Sequence, residues 1–179
     1  ARSRGLGDVY KRQVNKTSFT GIVGESGSGK TTLALLILGF LSPTKGKVTY
    51  HGKDINQFSK TDRKEFTRKV QPIYQDPFAS FNPFYKIDRV LTYPLLKFNP
   101  SLPKSKYSDE IHSALDSVGL NPRETLGRFP HQLSGGQRQR LMLARCLLCK
   151  PEIIIADEPV SMIDASLRTD ILVQLKNLN

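Results

Sequence analysis

Three short strings carry side chains that could do chemistry together: GESGSGKT at residues 24–31, LSGGQ at 133–137 and IIIADEP at 153–159. The first fits a glycine, four free residues and Gly-Lys-Thr, filled by Gly24, Gly29, Lys30 and Thr31, the spacing that cradles the phosphates of a nucleoside triphosphate. Such a loop must turn tightly and present backbone N–H groups to phosphate oxygens, and a Cβ at Gly27 or Gly29 would obstruct that approach. The helix expected to follow points its positive dipole end at the same anion. Lys30 would neutralise the β and γ phosphates, and the Thr31 hydroxyl would complete the shell of a Mg²⁺ ion. Glu25, Ser26, Ser28 and Thr32 fill out the stretch expected to contact ATP. The competing reading is a glycine-rich turn before an ordinary core helix.

The third string reads as a buried parallel strand, Ile153–Ala156, whose end delivers Asp157 and Glu158 beside those phosphates. Adjacent carboxylates leave a strand on opposite sides, which suits two different jobs. Asp157 would hold Mg²⁺, directly or through water, and Glu158 would polarise the attacking water. The alternative is a solvated acidic turn before Pro159. In the second string Ser134 is a candidate helix N-cap, while Gly135 and Gly136 leave bare N–H groups for another phosphate contact.

Elements able to position these strings can be read from the apolar pattern. Ile22 and Val23 before the glycine loop, and the run 33–41 after it, read as strand and helix. Residues 70–75 and 153–157 read as further strands, so that alternation with helices argues for an α/β fold with a parallel sheet. Residues 47–51, followed by Gly52, look like an extra strand entering a turn. From Asp76 to Lys150 the pattern becomes helical stretches punctuated by Pro77, Pro83, Pro94, Pro100, Pro103, Pro122 and Pro130.

The strings, with Gln75 between them and Ser161 to Asp164 after them, make the chain resemble the nucleotide-binding subunit of an ABC transporter. IYQDPFASFNP, FPHQLSGGQRQR and EPVSMIDAS narrow the resemblance to the oligopeptide, dipeptide and nickel importer branch, over essentially everything from Val14 onward. The resemblance implies a P-loop NTPase (RecA-like) core with a small antiparallel β region and an inserted α-helical subdomain. The core is expected at 14–75 and 151–179 and the insertion at about 76–150. It also implies that Gln75 senses the γ-phosphate and Mg²⁺. Ser134, Gly135, Gly136 and Gln137 would close on ATP held by Lys30 of a second ATPase subunit, identical or related, and Asp164 would reach across the same dimer. Residues 78–93 would receive a transmembrane permease subunit, with an extracellular solute-binding protein involved indirectly. The implied location is the cytoplasmic face of the membrane. The family more often has Ala-Leu-Asp where this chain has Met162, Ile163 and Asp164. A soluble ABC ATPase of DNA repair, chromosome organisation or translation is the alternative. The compact interval between Lys30 and Ser134, without a long coiled coil or zinc-binding insertion, argues against it.

Both ends read as cut short. Residues 3–13, SRGLGDVYKRQ, can be encoded by a transposase-library sequencing adapter in frame, so residues 1–13 are expected to be non-native and Tyr10 is given no adenine-stacking role; the competing reading is a natural basic N-terminal arm or a degenerate leader peptide. No apolar stretch of a secretory signal follows. The family's switch histidine should lie beyond Asn179, because His51, His112 and His131 all precede the Ile153 strand. The stretch shown is therefore expected to be inert as a catalyst, although its parent would be an ATPase. His131 is expected to pack or hydrogen-bond locally.

The chain has 179 residues with 27 Lys and Arg against 16 Asp and Glu, a formal charge of +11. Residues 1–13 supply four of those bases and one acid, leaving 23 against 15. The excess is spread over Lys45, Lys47, Lys53, Lys60, Arg63, Lys64, Arg68 and Lys69 rather than packed into one block, and no aromatic-interleaved basic motif accompanies it. A solvated basic face is expected, and no nucleic-acid partner. Leu33 to Leu41 is the longest apolar run and far short of the ~20 residues needed to span a bilayer. Cys146 and Cys149 have CxxC spacing inside an apolar helical pattern. They are expected to be core residues rather than a zinc or redox site.

Overall fold

The computed structural model describes residues 13–15, 18, 20–74, 76 and 81–157. Helix α1, Lys30–Ile37, starts directly out of the glycine loop. It stops where Gly39 takes φ +71. The Gly39 N–H donates to Leu36 O (3.1 Å) and the Phe40 N–H to Leu35 O (2.9 Å), the paired bonds of a Schellman ending. This is why the helix covers only part of the apolar run.

Strands β1 (Thr49–Tyr50) and β2 (Lys53–Asp54) form an antiparallel hairpin. Its two-residue turn places His51 at φ 48 and Gly52 at φ 80, the left-handed pair that matches strand twist. The expected strand at 47–51 is thus one arm of a hairpin. Helix α2, Lys60–Lys69, begins at a reciprocal capping box between Ser59 and Asp62. Strand β3, Val70–Ile73, follows without a loop.

A helical segment separates β3 from its partner, as the proline-rich pattern implied. It contains α3 (Ile87–Phe98), α4 (Tyr107–Ser117), α5 (Pro122–Thr125) and α6 (Gly135–Leu147). Pro94 does not break this segment, because it lies inside α3. Strand β4, Ile153–Ala156, then pairs parallel with β3, Val70 opposite Ile153 and Ile73 opposite Ala156. The main core is helical: Ile87, Leu91, Leu95, Leu115, Val118 and Leu141 are buried together, with Ile73 of β3 in the same cluster. A smaller cluster of Ile55, Phe66 and Val70 packs against Ile153 and Ile155.

Two expectations are corrected. Ile22 and Val23 form no strand and are 55% and 94% exposed. A two-residue apolar pair does not fix a strand unless a neighbouring ladder satisfies its backbone, and none reaches it among the described residues. Strand β4 is half-buried rather than buried, with Ala156 exposed, since its one described ladder neighbour is β3.

Candidate functional site

The glycine loop gets its shape from backbone dihedrals. Gly27 and Gly29 have φ +79 and +92, left-handed values that cost an L side chain about 1–2 kcal/mol. Among the described residues a Cβ at either position would meet no heavy atom within 4 Å. Within the chain, then, glycine is needed there for its dihedral rather than for space. The Ser28 N–H donates to Glu25 O (3.1 Å), closing a turn, and the Leu33 N–H donates to Gly29 O (2.9 Å), starting α1. Lys30 folds back over the loop, its Nζ donating to Gly24 O and Glu25 O, each at 2.8 Å. Ser26 and Thr32 are exposed on the loop and first turn.

Tertiary structure joins the first and third strings. The Thr31 hydroxyl donates to Asp157 Oδ2 at 2.8 Å. Asp157 is held from behind by its own N–H, which donates to Ile73 O at 3.0 Å and carries the β3–β4 ladder one step past β4. A hydroxyl and a carboxylate at this distance are hard oxygen donors of the kind Mg²⁺ prefers. The donor set fits that ion. The lysine ammonium, the hydroxyl and the carboxylate thus converge on the mouth of the loop at the N-terminus of α1.

Ser134 does cap a helix. Its Oγ accepts from the Gln137 N–H (3.2 Å) while its N–H donates to Gln137 Oε1 (2.9 Å), a capping box at the start of α6. Gly135 and Gly136 form the first turn, which carries no acidic side chain. The Ser134 hydroxyl and the Gln137 side-chain oxygen are thus each engaged by the other residue's backbone N–H. Gln75, Glu158 and Asp164 lie outside the described residues.

The remaining sequence expectations fall into place by burial. Cys146 lies in α6 and Cys149 just past its end, both free and buried. Burial pushes the Cys146 thiol well above its ordinary range and the Cys149 thiol up to about 11. His131 stacks on Phe129, ring centroids 5.6 Å apart. Among the described residues no helix is long and apolar enough to cross a membrane, and no three His, Cys, Asp or Glu gather as a metal cluster.

Two features went unseen in the sequence. Arg138 is buried in α6, its Nη1 donating to Pro130 O at 2.9 Å; burial lowers its pKa and the Asp76 charge opposes that shift. Glu152, just before β4, gathers Tyr50, His51 and Lys69. Arg138 and Pro130 share the string 129–140, which gives no sign that the arginine is buried, and no motif marks Glu152, because its partners come from distant segments.

A loop of this dihedral pattern opening a helix, met by an acid at the end of a parallel strand, defines the class: a P-loop α/β nucleotide-binding fold. The ABC transporter family profile matches residues 9–161, and the chain belongs to that family. It is 42% identical over 166 residues to the oligopeptide transport ATP-binding protein OppF of Streptococcus pyogenes serotype M1, covering 92% of this chain and 54% of that protein. To the di/tripeptide transport ATP-binding protein DppF of Pseudomonas aeruginosa it is 39% identical, covering 95% and 55%. The chain spans about half the length of these relatives. Among solved structures it resembles the dimeric post-hydrolysis state of the ATP-binding cassette MJ0796 bound to ADP and Pi, with TM-score 0.81, 28% identity, and 93% and 72% of the two chains covered. The peptide-transport names agree with the importer branch expected from the motifs.

Proposed function

We propose that the chain is the ATP-binding and ATP-hydrolysing part of an ABC importer, energising uptake of peptides or a similar solute. The observation that carries this reading is the Thr31–Asp157 hydrogen bond, which brings the phosphate-loop helix and the acidic strand end to one point. The names of the peptide-transport relatives favour it over a soluble DNA-repair or translation ATPase.

In this reading the N–H groups of Gly27 and of residues 29–32, at the start of α1, would bind the nucleotide phosphates, the Ser28 N–H being held by Glu25 O. Lys30 would exchange its two carbonyl partners for β- and γ-phosphate oxygens, a charge-assisted contact worth more than the neutral ones it leaves. Thr31 and Asp157 would hold Mg²⁺, which supplies charge neutralisation at the phosphates. Glu158 would accept a proton from the attacking water, and Gln75 would orient that water and report the γ-phosphate to the membrane subunits. Ser134, Gly135 and Gly136 at the mouth of α6 would close on ATP held by a second ATPase subunit, with Gln137 shaping that cap and Asp164 reaching across the same dimer. Permease subunits would dock on residues 78–93 of the helical segment about 76–150, putting the protein at the cytoplasmic membrane face, with a solute-binding protein acting on the far side. The core would comprise 14–75 and 151–179.

The test is Glu158→Gln in the intact parent protein. ATP binding and dimerisation retained with turnover abolished is the expected result; turnover at the wild-type rate would remove Glu158 from the role of base.

A further inference from the structure

A second polar cluster lies at the opposite end of the β3–β4 pair from Asp157. The Glu152 carboxylate accepts from the Tyr50 hydroxyl through Oε2 (2.7 Å), has His51 Nε2 at 3.1 Å from the same oxygen, and pairs with Lys69 Nζ through Oε1 (3.0 Å). The Glu152 N–H also donates to Lys69 O at 2.8 Å. Lys69 is the last residue of α2 and directly precedes β3. Tyr50 and His51 come from the hairpin. His51 is held in its left-handed turn conformation with its ring edge-on to Tyr50 at 4.2 Å, and Tyr50 is edge-on to Phe66 of α2 at 5.3 Å. One carboxylate therefore ties the starts of both parallel strands to each other and to the hairpin.

An exposed ion pair alone contributes little. This one is different in kind, because the same two residues are joined through both side chain and backbone where the strand pair begins. Strand β4 is four residues long, half-buried on both faces, and has β3 as its described ladder neighbour. Ile153 and Ile155 pack on the smaller cluster and Ile154 on the main core, so a one-residue slip, which turns each side chain to the other face, would still offer isoleucine to both and packing alone discriminates little. The ends must then fix it: Lys69 with Glu152 at the start, Ile73 with Asp157 at the finish.

We propose that Glu152 is a positioning residue that sets the register of β4 and so holds the Asp157 carboxylate opposite Thr31. The proposal rests on the reading of Asp157 given under Proposed function, but its geometric half can be read without nucleotide. Glu152 stands at the opposite end of the strand pair from Asp157 and would act only through the strand.

The experiment uses the intact parent protein with Glu152→Ala, Glu152→Gln and Lys69→Met. Amide hydrogen exchange would be followed at Asp157 and across α6, and Mn²⁺ affinity measured by electron paramagnetic resonance with ADP present. Expected for Glu152→Ala are lost protection at the Asp157 amide, unchanged protection in α6, and Mn²⁺ binding weakened about tenfold, the low end for groups that support metal ligands. Glu152→Gln keeps an acceptor for Tyr50 and should recover part of both effects; Lys69→Met should resemble the glutamine variant, and these two carry the test if the alanine variant does not fold. Unchanged Asp157 protection in folded variants would overturn the proposal, as would an equal loss across α6, which would make Glu152 a general staple. Wild-type protein that binds no Mn²⁺ with ADP would instead sink the reading of Asp157 as a metal ligand, while the exchange data still report on register.

Discussion

Replacing Ser134 by alanine isolates one hydrogen bond at the start of the most deeply packed helix. The substitution removes the acceptor of the Gln137 N–H (3.2 Å) but leaves the reciprocal bond from the Ser134 N–H to Gln137 Oε1 (2.9 Å) available. Losing a serine N-cap to alanine costs about 1 kcal/mol, whereas glycine at the same position costs only a few tenths because water can reach the freed N–H groups. Helix α6 buries Leu141, Met142, Leu143, Ala144 and Cys146. Its first turn therefore cannot fray without disturbing the helical core, and the loss should appear in the global transition. About 1 kcal/mol is roughly a fivefold rise in the unfolding constant. Urea denaturation of the intact protein, followed by far-UV circular dichroism, should give a lower midpoint for Ser134→Ala than for Ser134→Gly with an unchanged slope. Equal midpoints for the two variants, or alanine indistinguishable from wild type, would refute the claim that the cap hydrogen bond stabilises α6.

Gly29→Ala should destabilise the protein by about 1–2 kcal/mol in the same urea assay, from the left-handed dihedral alone, since its Cβ would meet nothing within 4 Å among the described residues. Both cysteines should resist a thiol reagent at about pH 8 in the folded protein and react fully in urea, because burial keeps them as thiols, Cys149 titrating only near about 11. Hydrogen bonds from Tyr50, Lys69 and His51 hold the Glu152 carboxyl down to about 2 from 4.5. A carboxylate whose folded pKa is depressed stabilises the fold fully above its unfolded pKa and loses that contribution as pH falls through the folded value. The midpoint difference between wild type and Glu152→Gln should therefore be flat from about pH 7 to about pH 5 and shrink as the pH approaches 2.

Local chemistry made a good deal of this protein legible from its residues. The dihedrals of Gly27 and Gly29, the turn after residue 51 at Gly52, and the cap at Ser134 depend on a few adjacent side chains and need no distant partner. The string 24–31 likewise announced its turn into α1, and the proline-rich interval announced a helical segment, because these features are written in consecutive residues. The sequence anticipated the parallel pairing of 70–75 with 153–157 and an acid near the loop, but not the particular contacts that partners from elsewhere make. Ile22 and Val23 had the right composition for a strand yet form none, because a strand's backbone is satisfied by a neighbour and not by its own residues. Leu33 to Leu41 looked like one helix until Gly39 ended it. The contact between Thr31 and Asp157 spans 126 positions, and the Glu152 cluster draws on a hairpin, a helix end and a strand start. The sequence alone determined which residues could grip phosphate, because that grip is a property of one loop. Only the tertiary structure decided that Thr31 and Asp157 meet at hydrogen-bond distance and what holds the carboxylate there, because long-range hydrogen bonds form only after packing has brought their ends together.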